Sequence, residues 1–103
     1  MTQDADNIRK KYPDRIPIIV NKHHSSHVQE ISQKKFLVPD DFTIGQFCFV
    51  IRRKIQLNES TALFIFINNN IPSHSKTLNE LYETYKSKDG YLYCTYASEN
   101  TFG

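Results

Sequence analysis

The sequence lacks the features of a membrane-spanning or secreted chain. No apolar run approaches the roughly 20 residues that a transmembrane helix requires. The stretch Met1–Asn7 is polar and acidic, without the apolar core of a signal peptide. Cysteine is scarce as well, and Cys48 and Cys94 each lie inside an apolar run. We therefore expect a protein of the reducing cytosol in which both thiols are small buried hydrophobes.

A strong net charge is also missing, since the formal value is only +2 for 103 residues. The basic residues instead form three clusters at Arg9–Lys11, Lys34–Lys35 and Arg52–Lys54. Clusters on a nearly neutral background indicate local patches for acidic partners rather than a field over the whole molecule. Because glycine-rich and aromatic nucleic-acid motifs are missing too, nucleic acid is not a favoured partner.

No recognisable catalytic or metal-binding motif is present. The histidines His23, His24, His27 and His74 are not joined by cysteine or carboxylate at a ligand spacing, so we interpret them as loop residues. No motif brings a nucleophile, a base and an orienting acid together. We expect no cofactor, no metal and no catalytic residue, and therefore a protein that is not an enzyme.

The most informative stretch runs from Lys34 to Leu57. Its β-branched and aromatic beginning predicts a strand, and Pro39, which cannot donate a ladder hydrogen bond, places that strand at a sheet edge. Thr43 and Gln46 then have the spacing of a helix capping box. Apolar residues recur behind them at three- and four-residue steps, which predicts one buried stripe: Ile44, Phe47, Cys48, Ile51 and Ile55.

Phe49, Val50 and the basic run Arg52–Lys54 fall off this stripe. An edge strand beside a helix with leftover apolar residues and a basic margin predicts a groove for an extended peptide with acidic flanks. The plainer interpretation is that Phe49 and Val50 pack under a loop.

The rest of the chain predicts further elements around this stretch, and the length suits one domain with one core. The predicted elements are a helix at Asp4–Tyr12, a strand at Arg15–Asn21, a loop at Lys22–Gln33, a strand at Ala62–Ile67, a short capped helix opening at Thr77 with Glu80, and a strand at Tyr91–Ala97.

Strands that are apolar on both faces need cover on both sides. We expect the two internal helices on one face of the sheet and the N-terminal helix on the other. That helix is too short to cover its whole face. Some of four apolar residues should therefore stay exposed as a pocket: Pro17, Ile19, Leu37 and Tyr91.

An ordered series of motifs runs through the chain: Ile8–Pro17 (IRKKYPDRIP), Lys35–Pro39 (KFLVP), Thr43–Phe47 (TIGQF), Ala62–Phe64 followed by Asn68–Asn69, Leu81–Tyr82 and the terminal glycine. The series resembles the autophagy ubiquitin-like modifiers, the family of microtubule-associated protein light chain three and the GABA-receptor-associated protein. The resemblance implies an α+β, ubiquitin-like β-grasp fold: a four-stranded mixed sheet with two helices on one face and a shortened N-terminal helical segment on the other. It implies a single domain over residues 1–103, with the helical segment at 1–13 and a conjugation tail at 98–103.

The resemblance also implies that the Gly103 carboxylate is conjugated to the amine of phosphatidylethanolamine. An activating and a conjugating enzyme of the autophagy lipidation pathway would each carry the chain as a thioester. Glycine suits this chemistry because, without a Cβ, it threads a narrow channel and presents an unhindered carbonyl. The modifier would be cytoplasmic before lipidation and on the autophagosome membrane afterwards.

A second implied function is the capture of aromatic-x-x-aliphatic peptide motifs of cargo receptors and adaptors, as a strand added beside Lys35–Pro39. The aromatic pocket would comprise Asp4, Ile8, Pro17, Ile19, Lys35, Leu37 and Tyr91. The aliphatic pocket would comprise Phe36, Val38, Pro39, Phe42, Phe47, Val50, Ile51 and Lys54. Strand alternation agrees with this division, since it turns successive residues to opposite pockets. Lys35 and nearby basic clusters would attract acidic residues that flank the motif.

The chain departs from the family in three ways. Family members usually have a further helix before the position of Met1, linked to tubulin contacts and membrane tethering. The loop His23–His27 is distinctive, and Lys54 stands where arginine is common, which gives up bidentate pairing. Two alternatives stay open: an adaptor of the same fold that binds motifs but is never lipidated, and a basic surface for nucleic acid or tubulin, whose binding would collapse with added salt.

Overall fold

The computed structural model describes the backbone of residues 2–99 and the side chains of residues 5–99. Its elements are helix α1 (Thr2–Lys11), strand β1 (Arg15–Lys22), strand β2 (Lys35–Pro39), helix α2 (Ile44–Lys54), strand β3 (Phe64–Phe66), helix α3 (Leu78–Tyr85) and strand β4 (Leu92–Ala97). This order confirms the predicted succession of elements. Of the predicted site residues, the side chain of Asp4 and the whole of Gly103 lie outside the described residues.

The four strands form one mixed sheet in the order β2-β1-β4-β3. Strand β1 pairs antiparallel with β2 and parallel with β4, while β3 pairs antiparallel with β4. The prediction from Pro39 is therefore confirmed, since β2 lies at an edge. The predicted length of β3 was wrong: its ladder to β4 ends at Phe66, because Ile67 pairs instead with Asn70 across a tight turn.

Both internal helices begin with the predicted capping boxes. The Thr43 hydroxyl accepts a hydrogen bond from the Gln46 backbone N–H at 3.2 Å, and the Gln46 side chain accepts one from the Thr43 N–H at 2.8 Å. Thr77 and Glu80 repeat this reciprocal pair at 3.2 and 2.9 Å. The boxes satisfy backbone donors that a helix start otherwise leaves unpaired, and so they set where each helix begins.

The main core lies between one sheet face and helices α2 and α3, and it includes the predicted stripe of α2. Cys48 and Cys94 are buried, as predicted. Burial raises the pKa of Cys94 to about 12 and also raises the pKa of Cys48. Since the thiolate is the reactive form of cysteine, both side chains are poor nucleophiles at neutral pH.

Helix α1 packs against β1 on the face opposite to α2 and α3. Arg9 anchors it, because its guanidinium donates hydrogen bonds to the backbone carbonyls of Pro13 and Arg15 at 2.8 and 2.6 Å. The same guanidinium lies 5.3 Å from the centre of the Tyr82 ring. Within residues 2–99, none of the helices combines the length and apolarity needed to cross a bilayer.

Candidate functional site

Strand β2 presents part of its backbone to solvent, and the pairing with β1 shows which part. The Val20 N–H donates to the Lys34 carbonyl at 2.8 Å, and the register then pairs Ile18 with Phe36. Hydrogen-bonded pairs alternate with non-bonded ones along an antiparallel ladder. Phe36 and Val38 therefore bond to β1, whereas Lys35 and Leu37 direct their backbone N–H and C=O groups away from it. These are the groups to which an added strand binds.

The side chains of β2 alternate between the two faces of the sheet, as predicted. Phe36 and Val38 are buried in the main core, while Lys35 is exposed and Leu37 is half-buried on the opposite face. The Lys35 ammonium lies 5.7 Å from the centre of the Tyr91 ring, within the range of a cation–π contact. The outward edge of β2 thus separates two different surfaces.

The predicted aromatic pocket is only partly open. Pro17 and Tyr91 are buried, whereas Ile19 and Leu37 are half-buried and keep part of their surface exposed. The cause is local cover, since α1 packs against β1 and Lys35 lies over Tyr91. Ile8 is half-buried on α1. Among the described residues of this set, the apolar side chains that keep accessible surface are therefore Ile8, Ile19 and Leu37.

A hydrogen-bonded turn holds Tyr91 at this surface. The Asp89 carboxylate accepts hydrogen bonds from the Tyr91 backbone N–H, at 3.0 Å, and from the Tyr93 hydroxyl. The Gly90 carbonyl accepts a hydrogen bond of 2.7 Å from the Tyr82 hydroxyl. Gly90 has a φ of +89°, a conformation that glycine adopts without steric cost. The turn therefore links Tyr91 to helix α3, through the hydrogen bond between Gly90 and Tyr82.

The Asp89 carboxylate makes this turn sensitive to acid. The hydrogen bond from Tyr93, followed by that from the Tyr91 N–H, lowers the pKa of Asp89. A carboxyl whose pKa is lowered in the folded state stabilises the fold above its unfolded pKa, near 4, and loses that contribution as the pH falls through the folded value. We expect Asp89→Asn to flatten the fall in unfolding free energy below about pH 4, as measured by urea denaturation.

Tyr93→Phe is the matched variant for this prediction, because it removes the larger of the two hydrogen bonds and keeps the carboxylate. The pKa of Asp89 in that variant, followed by NMR, should rise towards the ordinary value. If Asp89→Asn loses stability in acid as steeply as the wild type does, the turn is not a source of acid sensitivity.

On the other side of β2, part of the predicted aliphatic pocket is buried in the main core. Phe47 and Ile51 are both 0% exposed, and the Phe47 ring meets the Phe36 ring edge-on at 5.6 Å. They belong to the core, so a peptide could reach them only after rearrangement. The residues of the set that retain accessible surface are Pro39, Phe42 and Val50, which are half-buried, and Lys54, which is exposed.

Two open depressions flank Val50 on helix α2. One, of about 440 Å³, is lined by Phe49, Val50, Arg53 and Lys54. The other, of about 560 Å³, runs from Phe42 and Thr43 past Gln46 to Phe49 and Val50. Phe49 is 59% exposed, so it does not pack under a loop, and the Arg53 guanidinium lies 5.9 Å from the centre of its ring. The resemblance-based residue set omitted Phe49 and Arg53, although the helical periodicity had already placed both off the buried stripe.

The basic clusters serve different purposes in the fold. The Arg52 guanidinium donates to the backbone carbonyls of Asn58 and Thr61 at 3.1 and 2.7 Å, and so it stabilises the loop after α2. Lys34 forms an exposed ion pair of 3.0 Å with Glu30. Along the predicted groove the exposed basic side chains include Lys35, Arg53 and Lys54.

The loop after β1 forms hydrogen bonds with the end of β4. The His23 and His24 rings stack at 4.5 Å, and no group of three potential ligands within the described part of the chain could hold an ion. Ser26, only 3% exposed, accepts a hydrogen bond of 3.3 Å from the Ser98 N–H. The Tyr96 hydroxyl donates to the Gln29 carbonyl at 2.7 Å. This loop thus anchors the strand that leads into the C-terminal residues.

Comparison with known proteins gives one consistent family. The model of the family described as "Autophagy protein Atg8 ubiquitin like" matches residues 1–103. Autophagy-related protein 8e of Arabidopsis thaliana is 51% identical over 97% of this chain and 82% of its own length. Autophagy-related protein 8 of Schizosaccharomyces pombe is 49% identical over 97% of this chain and 83% of its own length. The crystal structure of Trypanosoma brucei ATG8 superposes with a TM-score of 0.91 at 42% identity, covering 99% of this chain and 88% of that one. With the ubiquitin-like sheet and helices already described, these matches show that the chain belongs to the Atg8 family of ubiquitin-like autophagy proteins.

Proposed function

We propose that this chain is a modifier that is conjugated through the Gly103 carboxylate to phosphatidylethanolamine and recruits peptide motifs to the resulting membrane. Membership of the Atg8 family supports the first part. The single observation that supports the second is the outward edge of β2, which lies between an apolar surface at Ile19 and Leu37 and another at Phe42 and Val50.

In this proposal residues 1–103 act as one domain and residues 98–103 form the conjugation tail. An activating and a conjugating enzyme hold the Gly103 carbonyl as a thioester on their own cysteines. The lipid amine attacks that carbonyl, the C–S bond breaks, the amine loses a proton that the departing thiolate takes up, and an amide forms. The modifier is the substrate rather than an enzyme, which is consistent with the buried, protonated thiols of Cys48 and Cys94. It moves from the cytoplasm to the autophagosome membrane on conjugation.

An extended peptide would add to β2 through the backbone groups of Lys35 and Leu37. Its aromatic anchor would lie on Ile19 and Leu37, and its aliphatic anchor on Phe42 and Val50. Burial of such anchors typically contributes a few kcal/mol and dominates binding at a surface of this size. Acidic flanking residues would meet Lys35, Arg53 or Lys54, and at cellular salt they would raise the association rate more than the affinity.

The conjugation step is tested with Gly103→Ala. The protein is incubated with the activating enzyme, the conjugating enzyme, ATP and liposomes containing phosphatidylethanolamine, and its intact mass is measured. The wild type should gain the mass of one lipid, whereas the variant should gain none because its Cβ hinders the tail in the enzyme channels. Peptide affinity should be equal in the two proteins, since Gly103 is not among the residues proposed to bind the peptide.

Either of two results would contradict the conjugation step. Efficient lipidation of the variant would show that the terminal carboxylate needs no glycine. Absence of any adduct on the wild type, with enzymes shown to be active on another substrate, would leave a ubiquitin-like adaptor that only binds peptide motifs.

A further inference from the structure

A side chain of the protein itself already forms a hydrogen bond with the outward edge of β2. The side-chain amide of Gln33 donates a hydrogen bond of 2.9 Å to the backbone carbonyl of Lys35. Because Val20 and Lys34 form a hydrogen-bonded pair, the alternation along the ladder directs the Lys35 carbonyl away from β1, to the outward edge of β2. The Gln33 Nε2 atom therefore stands where the N–H of an added strand would lie.

Few backbone groups point outward from this edge, so one occupied position matters. Within β2 only Lys35 and Leu37 turn both their N–H and their C=O outward, and Pro39 has no N–H to offer. A peptide that adds to β2 gains its main-chain affinity from this short row of groups. If one of these groups is not accessible to the peptide, a large share of the hydrogen bonds between the peptide backbone and β2 is lost.

We propose that Gln33 competes with the bound peptide for the Lys35 carbonyl and so lowers the affinity of the groove. The inference rests on the proposed peptide-binding function and adds a residue that regulates it. The Gln33 amide must turn away before a peptide N–H can bond to the carbonyl. A peptide with strong side-chain anchors tolerates this competition better than one that depends on its backbone.

Gln33→Met tests the proposal, because methionine keeps the length of the side chain and cannot donate the hydrogen bond. Calorimetry with an acidic-flanked aromatic-x-x-aliphatic peptide should give an affinity about two- to tenfold higher for the variant, the range expected for one net hydrogen bond. Gln29→Met is the matched control, since this exposed glutamine lies in the preceding loop. Its affinity should equal that of the wild type.

A series of peptides, each N-methylated at one backbone position of the motif, separates competition from a new apolar contact of the methionine. The gain of Gln33→Met should disappear for the peptide whose methylated nitrogen would otherwise donate to Lys35, and it should persist for the others. Equal or weaker binding by Gln33→Met, or a gain that survives every methylation, would overturn the role of Gln33. Failure of both the wild type and the variant to bind would overturn the proposed groove as well.

Discussion

Replacing Gly90 by alanine is expected to lower the free energy of unfolding by about 2–4 kcal/mol. Two costs add. At the observed φ of +89° a side chain strains the backbone, and the added Cβ would lie 2.8 Å from the Ala5 Cβ, closer than a non-bonded contact between two carbon atoms allows. Ala5 is fully buried, so α1 would have to move for the contact to relax. Urea denaturation of the two proteins measures the difference.

Gly45→Ala is the matched control for this substitution. Gly45 lies within α2, and a Cβ there would meet His74 at an ordinary contact distance of 3.4 Å. Because alanine favours a helix over glycine by about 0.5–1 kcal/mol, this variant should be as stable as the wild type or slightly more so. A Gly90→Ala protein as stable as Gly45→Ala would mean that α1 is not held against the turn at Gly90.

The largest effect on binding is expected from Lys35→Ala combined with Leu37→Ala. The double variant should bind an aromatic-x-x-aliphatic peptide about tenfold to thirtyfold more weakly, because it loses apolar surface for the aromatic anchor and a charge for the acidic flank. Both side chains lie on the partly solvated face of β2, so the core should remain intact. Calorimetry gives the affinity, and thermal denaturation checks the fold.

Ile71→Ala combined with Lys76→Ala controls for the general loss of an aliphatic and a basic side chain. Both residues are exposed, lie in the segment between β3 and α3, and belong to neither of the two predicted pockets. This pair should leave peptide affinity unchanged. If the two double variants bind equally well, the peptide does not use the predicted aromatic side of β2. If binding falls with salt alone and ignores Leu37, a basic docking surface is the better account.

Local chemistry determined much of the fold, and it could be predicted from the sequence. The capping boxes at Thr43 and Thr77 are contained in four-residue windows, and the edge position of β2 follows from the missing N–H of Pro39. The period of α2 placed Phe47 in the core and Phe49 in solvent. Each of these features is specified by a few residues that are close together in the sequence. It could therefore be predicted without knowing which distant parts of the chain are in contact.

Tertiary packing decided which of the predicted site residues a partner could reach. Tyr91 is buried, with Lys35 over its ring, and Arg9 and Arg52 are structural because the turns that follow their helices bring backbone carbonyls within their reach. The contact of Gln33 with the outward carbonyl of Lys35 depends on the register between β1 and β2. The sequence by itself therefore determined the family, the elements and the edge strand. Only the tertiary structure decided which residues of the predicted groove are accessible, since accessibility depends on packing between different elements of the chain.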